Sequence, residues 1–116
     1  MGFDGSDAAW RALDVAAGLT GYGSTLAVVN VAREGTGSAR ALLAAAREHL
    51  LQQHVTARYV DKVGEAAEEL VSVAHDLHAD LVVVGRRGET SDGAPPPGSV
   101  SAEVVRDAPC DVLVIR

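Results

Sequence analysis

Three stretches of the chain are apolar without interruption, over residues 26–29 (LAVV), 81–84 (LVVV) and 112–115 (VLVI). Continuous apolar runs of this length are typical of strands that are covered on both faces, as in parallel sheets flanked by helices. A weaker strand is predicted over residues 56–60, nearer an edge of the sheet, with Tyr59 and Val60 as its β-formers.

Apolar residues that recur every three or four positions predict helices between these strands. Ser6 is a suitable N-cap for the first helix, which Gly21 ends, and a short fourth helix is predicted over residues 99–106. The acidic residues in the first turn of the third helix complement its dipole. The apolar sides of the first three helices are predicted to be Ala9, Leu13, Ala16 and Leu19; Ala39, Leu43, Ala46 and Leu50; and Ala67, Leu70, Val71, Ala74 and Leu77.

Strict alternation of strands and helices predicts one α/β domain over residues 1–116, with a mostly parallel sheet and right-handed crossovers. The first strand can only be residues 1–3, which is much shorter than a central strand should be. Either upstream residues belong to this strand or the sheet is short there, and the sequence leaves both readings open.

Composition and charge exclude several classes of partner. Ten basic and sixteen acidic residues give a formal net charge of −6, whereas nucleic acids and anionic lipids need clustered Lys and Arg. No apolar run reaches the roughly 18 residues that predict a membrane span. Cys110 is the single cysteine, so no internal disulfide forms, and we expect a reducing, cytoplasmic setting.

Candidate chemistry is concentrated where the strand over residues 80–84 ends. Gly85 is followed by two residues, Gly88, nine residues, and then Gly98 and Ser99 at the start of the last helix. Ligands of parallel sheets bind outside the carboxyl ends of the strands, and glycines allow the backbone to approach them closely. The N–H groups of Ser99, Val100 and Ser101, with the two serine hydroxyls, therefore predict an anion site. The alternative is a surface loop whose glycines serve only as turns.

Other motifs give weaker signals. Residues 93–99 have the spacing of a Walker A loop but no Lys, and three prolines there lack N–H donors. No G-x-G-x-x-G occurs. Asp4 is placed to reach a ribose or adenine, or else to form a local turn with Ser6 as the helix cap. For the remaining candidates a role without chemistry is favoured. Arg86 and Arg87 are expected to be solvated rather than in contact with phosphate, and His75 and His78 are not expected to bind metal. Cys110 is expected to be an unreactive buried thiol, and Trp10 a packing residue.

Four segments together resemble the universal stress protein family, in the right order along the whole chain. They are residues 3–9 (FDGSDAA), 81–88 (LVVVGRRG), 98–101 (GSVS) and 108–114 (APCDVLV). The most specific is the family's nucleotide signature, a Gly, two residues, a Gly, nine residues, a Gly and a Ser or Thr. Gly85, Gly88, Gly98 and Ser99 match it without a gap.

The resemblance implies a Rossmann-like fold of the adenine nucleotide alpha hydrolase type, with five parallel strands in the order 3-2-1-4-5 and helices on both faces. It also implies a site for ATP, AMP or ADP, with or without Mg²⁺. Asp4 would contact the adenosine, the Val31 backbone would hydrogen-bond adenine, and Gly2, Phe3 and Val84 would line the adenosine wall, while the phosphates would lie at Gly85, Arg86, Gly88, Gly98, Ser99, Val100 and Ser101. Members typically form homodimers through the last strand, here residues 111–115.

The expected function is therefore a cytoplasmic, dimeric stress-response module that binds ATP or a related nucleotide as a regulatory ligand. No nucleophile with its base and no paired carboxylates are evident, so we expect no enzyme activity beyond slow ATP hydrolysis. The alternative is a dimeric protein-interaction module that binds no nucleotide. Its support is the segment 89–97, usually apolar in the family, which is rich in proline here and carries Glu89 and Asp92.

Overall fold

Helices and strands alternate along the chain in the computed structural model, which describes residues 1–21, 23–33, 40–86 and 98–116. The described elements are α1 (Asp7–Leu19), β1 (Ala27–Ala32), α2 (Arg40–Gln52), β2 (Arg58–Val63), α3 (Ala66–Asp76), β3 (Leu81–Gly85), α4 (Ser99–Asp107) and β4 (Asp111–Ile115). This order confirms the predicted single-domain α/β architecture.

The strands form two parallel pairs, β1 with β2 and β3 with β4. Strand β1 extends three residues past the predicted end at residue 29, to Ala32. Ala27 is paired with Arg58, so β2 begins two residues later than predicted, level with the start of β1. Asp61, Lys62 and Val63 are exposed, which agrees with the predicted position of β2 near an edge of the sheet.

The predicted first strand is a short extended segment with one parallel bridge, between Gly2 and Val29. Its backbone nevertheless bonds to both strand pairs. Toward β1, Met1 N donates to Ala27 O (2.6 Å), Val29 N donates to Met1 O (2.8 Å), and Phe3 N donates to Val29 O (2.7 Å). Toward β3, Gly2 N donates to Val83 O (3.1 Å). The segment therefore lies between the two pairs and holds them side by side.

Helices cover both faces of these strands, as the uninterrupted apolar runs predict. Successive strand side chains point to opposite faces, so Val28 and Val83 lie in one apolar cluster and Val29, Val82 and Val84 in the other. The first cluster packs against α1 and α2 and includes Phe3, Ala12, Leu13, Ala46 and Leu50. The second packs against α3 and α4 and includes Ala67, Leu70, Val73, Ala74 and Val104.

The first helix begins as predicted, because Ser6 Oγ accepts a hydrogen bond from Ala9 N at 3.1 Å. The prediction that Leu19 is buried is wrong: its side chain is 54% exposed. Leu19 is the last residue of α1 and lies beyond Ala17, the last buried residue of the helix, so its position at the helix end rather than its side of the helix leaves it exposed. Leu77, just beyond α3, is also exposed. Ala39 lies outside the described residues.

Gly85, at the end of β3, allows α1 to approach the sheet closely. A Cβ on Gly85 would lie 3.0 Å from the carbonyl carbon and Cβ of Ala8 and 3.2 Å from Ala9 N. Two of these three atoms are backbone atoms of a helix, which cannot swing aside as a flexible side chain can. The missing side chain of Gly85 is therefore a packing requirement between β3 and the first turn of α1.

We expect Gly85→Ala to lower the free energy of unfolding by about 1–3 kcal/mol, because the added methyl group overpacks the contact with Ala8. Gly18→Ala is the matched control, since a Cβ at this position in α1 meets nothing within 4 Å. The control should be neutral or more stable by up to about 1 kcal/mol, because Ala is the better helix former. Urea unfolding of both variants tests this, and equal midpoints would contradict it.

Candidate functional site

Asp4, Val31, Gly85 and Arg86, all predicted for the site, lie at or near the carboxyl ends of the described strands. The segment 1–3 runs parallel to β1 and ends at Asp4, close to where Val31 stands near the end of β1. Gly85 ends β3, and Arg86 follows it, its N–H donating to Ile115 O of β4 at 2.6 Å. Ligands of parallel α/β sheets bind at this edge, and the ligand crevice there stays a prediction.

Gly98 begins α4 with a backbone conformation that favours glycine. Its φ of 85° and ψ of −10° are left-handed, and it is the N-cap of the helix. A Cβ on Gly98 would lie 3.6 Å from Arg86 O, an ordinary contact, so the backbone angle rather than crowding requires glycine here. The same contact shows that the two ends of the signature loop come together. Residues 87–97 between them, including Arg87 and Gly88, lie outside the described residues.

In the first turn of α4, three N–H groups have no hydrogen-bond partner within the part of the chain that the structure describes. The first N–H within the helix to find a partner is that of Ala102, which donates to Gly98 O at 3.1 Å. The N–H groups of Ser99, Val100 and Ser101 precede this bond and stand at the positive end of the helix dipole. Such a helix start binds anionic groups.

The two serine hydroxyls in this turn differ. Ser99 Oγ is buried and has no hydrogen-bond partner among the described residues. Ser101 Oγ donates to Gly98 O at 3.0 Å and lies 3.5 Å from Arg86 O. The single hydrogen of Ser101 is thus used within the protein, whereas Ser99 carries an orphaned polar atom at the predicted phosphate position. Phosphate contact by either hydroxyl stays a prediction.

Asp4 takes part in the local turn that the sequence offered as an alternative role. Its Oδ1 accepts a hydrogen bond from Ser6 N at 2.9 Å, and Ser6 in turn caps α1. Gly5 between them has a φ of 82°. The turn fixes the exposed carboxylate at the carboxyl edge, where its contact with adenosine remains a prediction.

Phe3 and Val84, predicted for the adenosine wall, are buried, at 2% and 4% exposure. The Phe3 ring packs edge-on against Trp10, with ring centroids 4.9 Å apart, beneath α1. Val84 lies in the apolar cluster under α3 and α4. Both side chains therefore support the crevice from within the core, and Trp10 has the packing role that the sequence favoured.

Asn30 is a residue that sequence reasoning did not select. It is 5% exposed, and its Nδ2 donates to Phe3 O at 2.8 Å. The available signal was a single amide side chain in an otherwise apolar strand, which needs a buried partner. Through this bond Asn30 ties β1 to the residue directly before Asp4.

The remaining candidates are not assembled into sites. No group of three His, Cys, Asp or Glu side chains that could hold a metal ion occurs within residues 1–21, 23–33, 40–86 and 98–116.

Burial, and then the nearby Asp111 and Asp80, raise the pKa of the Cys110 thiol, which favours its unreactive form. None of the described helices has the length and apolar character needed to cross a membrane.

A groove of about 1530 Å³ lies at the opposite, amino edge of the strands. Leu26, Ala27, Val82 and the end of α1 are among the residues that line it. The candidate site is nevertheless the carboxyl edge, because Gly98, the N–H groups of the first turn of α4 and the buried Ser99 hydroxyl, which lack partners among the described residues, are all there.

Comparison with known proteins shows similar folds. The structure superposes with a TM-score of 0.83 on a universal stress protein crystallised in complex with cAMP, at 30% identity, covering 100% of this chain and 93% of that one. Hypothetical protein MJ0577, the subject of a structure-based assignment of biochemical function, superposes with a TM-score of 0.84 at 21% identity, covering 98% and 91%. The latter likeness shows the fold alone.

Relatives in sequence bear the same family name. A universal stress protein of Synechocystis sp. is 37% identical over 76 residues, which is 64% of this chain and 47% of that protein. The match therefore spans about half the length of this relative. The model of the universal stress protein family matches residues 1–116. The chain belongs to the universal stress protein family.

Proposed function

We propose that this protein binds ATP or a related adenine nucleotide, with or without Mg²⁺, as a regulatory ligand at the carboxyl edge of its sheet. The observation that carries the proposal is the first turn of α4, where a left-handed Gly98 precedes three N–H donors and the buried Ser99 hydroxyl, none of which has a hydrogen-bond partner among the described residues. Leaving a buried hydroxyl unpaired costs about 1–3 kcal/mol, which a bound phosphate oxygen would recover.

The proposal includes a five-stranded sheet of order 3-2-1-4-5, in which the segment 1–3 is the first strand. The hydrogen bonds of this segment to Val29 on one side and Val83 on the other support this order. In such a sheet the strand order reverses between the first strand and β3, which makes the gap beside Asp4 and Gly85 the expected ligand crevice.

The ligand class is supported by the related structure in complex with cAMP, which shares an adenosine with ATP. A bare helix start accepts many anions, but Val31 near the end of β1 adds backbone groups that can recognise a base. We propose a regulatory rather than a catalytic role, in a stress-response module of the cytoplasm. In support, the Ser101 hydroxyl donates to Gly98 O rather than to a base, and Asp4 Oδ1 accepts from Ser6 N.

We further propose that two copies of the chain associate through β4. This strand pairs with β3 on one side, and no other strand of the described residues pairs with its second backbone edge. Val114 on this edge strand is 37% exposed. Such an apolar edge is an aggregation hazard unless another strand covers it, and a second copy would do so.

Ser99→Ala should weaken ATP binding without lowering the free energy of unfolding. Removing the orphaned hydroxyl is expected to leave the free protein as stable as the wild type or more stable, by up to about 1 kcal/mol, while affinity for ATP falls severalfold. Urea unfolding and calorimetric titration with ATP measure the two effects. A variant that loses stability yet binds ATP unchanged would contradict the role given to Ser99.

Gly98→Ala should weaken ATP binding at least tenfold while the fold persists. A methyl group at a φ of 85° costs about 1–2 kcal/mol, which either strains the chain or rotates the donors away from the phosphates. Gly23→Ala is the matched control, because Gly23 has a φ of 93°, lies at the amino edge and has open space around its Cβ position. The control should lose similar stability and keep full ATP affinity.

Titration with ATP measures the affinity of the wild type, of Gly98→Ala and of the control. A separate assay measures the nucleotide that the wild-type protein releases on denaturation. Wild-type protein that carries no nucleotide and shows no binding at millimolar ATP would refute the proposed function. It would favour the alternative, an interaction module that binds no nucleotide.

Val114→Lys should convert the dimer into a monomer, because a charged side chain on an edge strand opposes strand pairing. Val63→Lys is the control on the other edge of the molecule: Val63 is 61% exposed at the end of β2. Sedimentation velocity should give a dimer for the wild type and the control. A wild-type monomer, or a dimer unchanged by Val114→Lys, would exclude assembly through β4.

A further inference from the structure

The backbone of β1 alternates between two neighbours. Leu26 O accepts from Arg58 N of β2 at 2.8 Å, whereas the backbone groups of Ala27 and Val29 bond to Met1 and Phe3 on the other side. Directions repeat every second residue along a strand, so the N–H of Val31 also faces the segment 1–3 and the crevice beyond it.

A regular parallel ladder would continue with Val31 N donating to Phe3 O, after Phe3 N has donated to Val29 O at 2.7 Å. The structure departs from this pattern. Phe3 O instead accepts from Nδ2 of Asn30, at 2.8 Å, and no hydrogen bond of the Val31 N–H is found among the described residues. The side chain of one β1 residue thus takes the acceptor that the next residue would otherwise use.

We propose that Asn30 is a positioning residue, which ends the ladder at Phe3 and thereby keeps the Val31 N–H available for a ring nitrogen of bound adenine. This inference rests on the proposed function. The Val31 N–H can donate to an unprotonated ring nitrogen, while its carbonyl accepts from the amino group of the base. Guanine carries a ring N–H at the corresponding position, so two donors would face each other and guanine nucleotides would be rejected.

A purely structural Asn30 would account for the same buried bond, since buried amides generally find partners. The two roles differ in what happens to Val31 when the amide is removed. In Asn30→Leu, which keeps a similar side-chain volume without a donor, Phe3 O is released. If Asn30 only fills and stabilises the core, Val31 is unaffected; if it ends the ladder, the Val31 N–H captures Phe3 O.

The first experiment uses the free protein and is independent of nucleotide binding. NMR of the wild type and Asn30→Leu would compare hydrogen exchange at the Val31 amide and its scalar coupling to the Phe3 carbonyl. We expect exchange at Val31 to slow at least tenfold relative to that at Val29, with a coupling to Phe3 appearing. Unchanged exchange and no coupling would overturn the ladder-ending role.

The second experiment titrates the same proteins with ATP and GTP. Asn30→Leu should lose at least about tenfold in ATP affinity and most of its preference for ATP over GTP. The control is Val55→Ala, which shortens a partly buried side chain at the amino edge, in the apolar cluster under α1 and α2. Its ATP affinity and its preference for ATP over GTP should stay within about twofold of the wild type. Equal ATP affinity of Asn30→Leu and wild type would overturn the inference.

The outcomes of the two experiments distinguish a failure of the role of Asn30 from a failure of the proposed function. If the wild type binds no adenine nucleotide, the proposed function fails and the ligand assigned to Val31 fails with it, whatever Asn30 does. If the wild type binds ATP but Val31 is unchanged by Asn30→Leu, the proposed function stands and only the role of Asn30 is refuted.

Discussion

The backbone bonds of residues 1–3 are the constraint on which the rest of this molecule depends. Three of them join the segment to β1, and the bond from Gly2 N to Val83 O joins it to β3. Without them, two parallel strand pairs would have no common neighbour, and their carboxyl ends would not define one crevice. The same segment brings Asp4 to that crevice, and its last carbonyl, that of Phe3, sets where the β1 ladder stops.

Small residues allow the helices to pack closely against the strands beside this crevice. Aromatic residues make up only 3% of the chain, and the helices contact the sheet largely through Ala, Val and Leu. Gly85 lets the first turn of α1 lie almost on the strand, and Gly98 starts α4 beside Arg86 O. At the carboxyl edge Ser99 Oγ is buried and has no hydrogen-bond partner among residues 1–21, 23–33, 40–86 and 98–116. A protein stable by only about 5–15 kcal/mol does not bury such an atom without cost, which is why we interpret it as functional.

Much of the architecture could be predicted from the sequence because local signals and burial agree. The Ser6 cap, the parallel direction of the strands and the helix that starts at Ser99 follow from pattern alone, whereas the strand order was implied only by the family resemblance. The predicted strand boundaries were wrong where they depend on a neighbouring strand. Strand β1 continues past its apolar run because the Asn30 amide donates to Phe3 O, and β2 begins at Arg58 because that residue pairs with Ala27. The position of the signature glycines was predictable, but the steric reason for Gly85 was not, since it lies in a helix distant in sequence.

The central claim is that an adenine nucleotide binds at the carboxyl edge of the sheet and not in the groove at the amino edge. Residue-resolved hydrogen exchange of the wild-type protein, with and without saturating ATP, tests it most directly. We predict slowed exchange at the amides of Val31 and of Ser99, Val100 and Ser101, with no change at Leu26 or Val82. Protection confined to the amino edge, or none at either edge, would contradict the account.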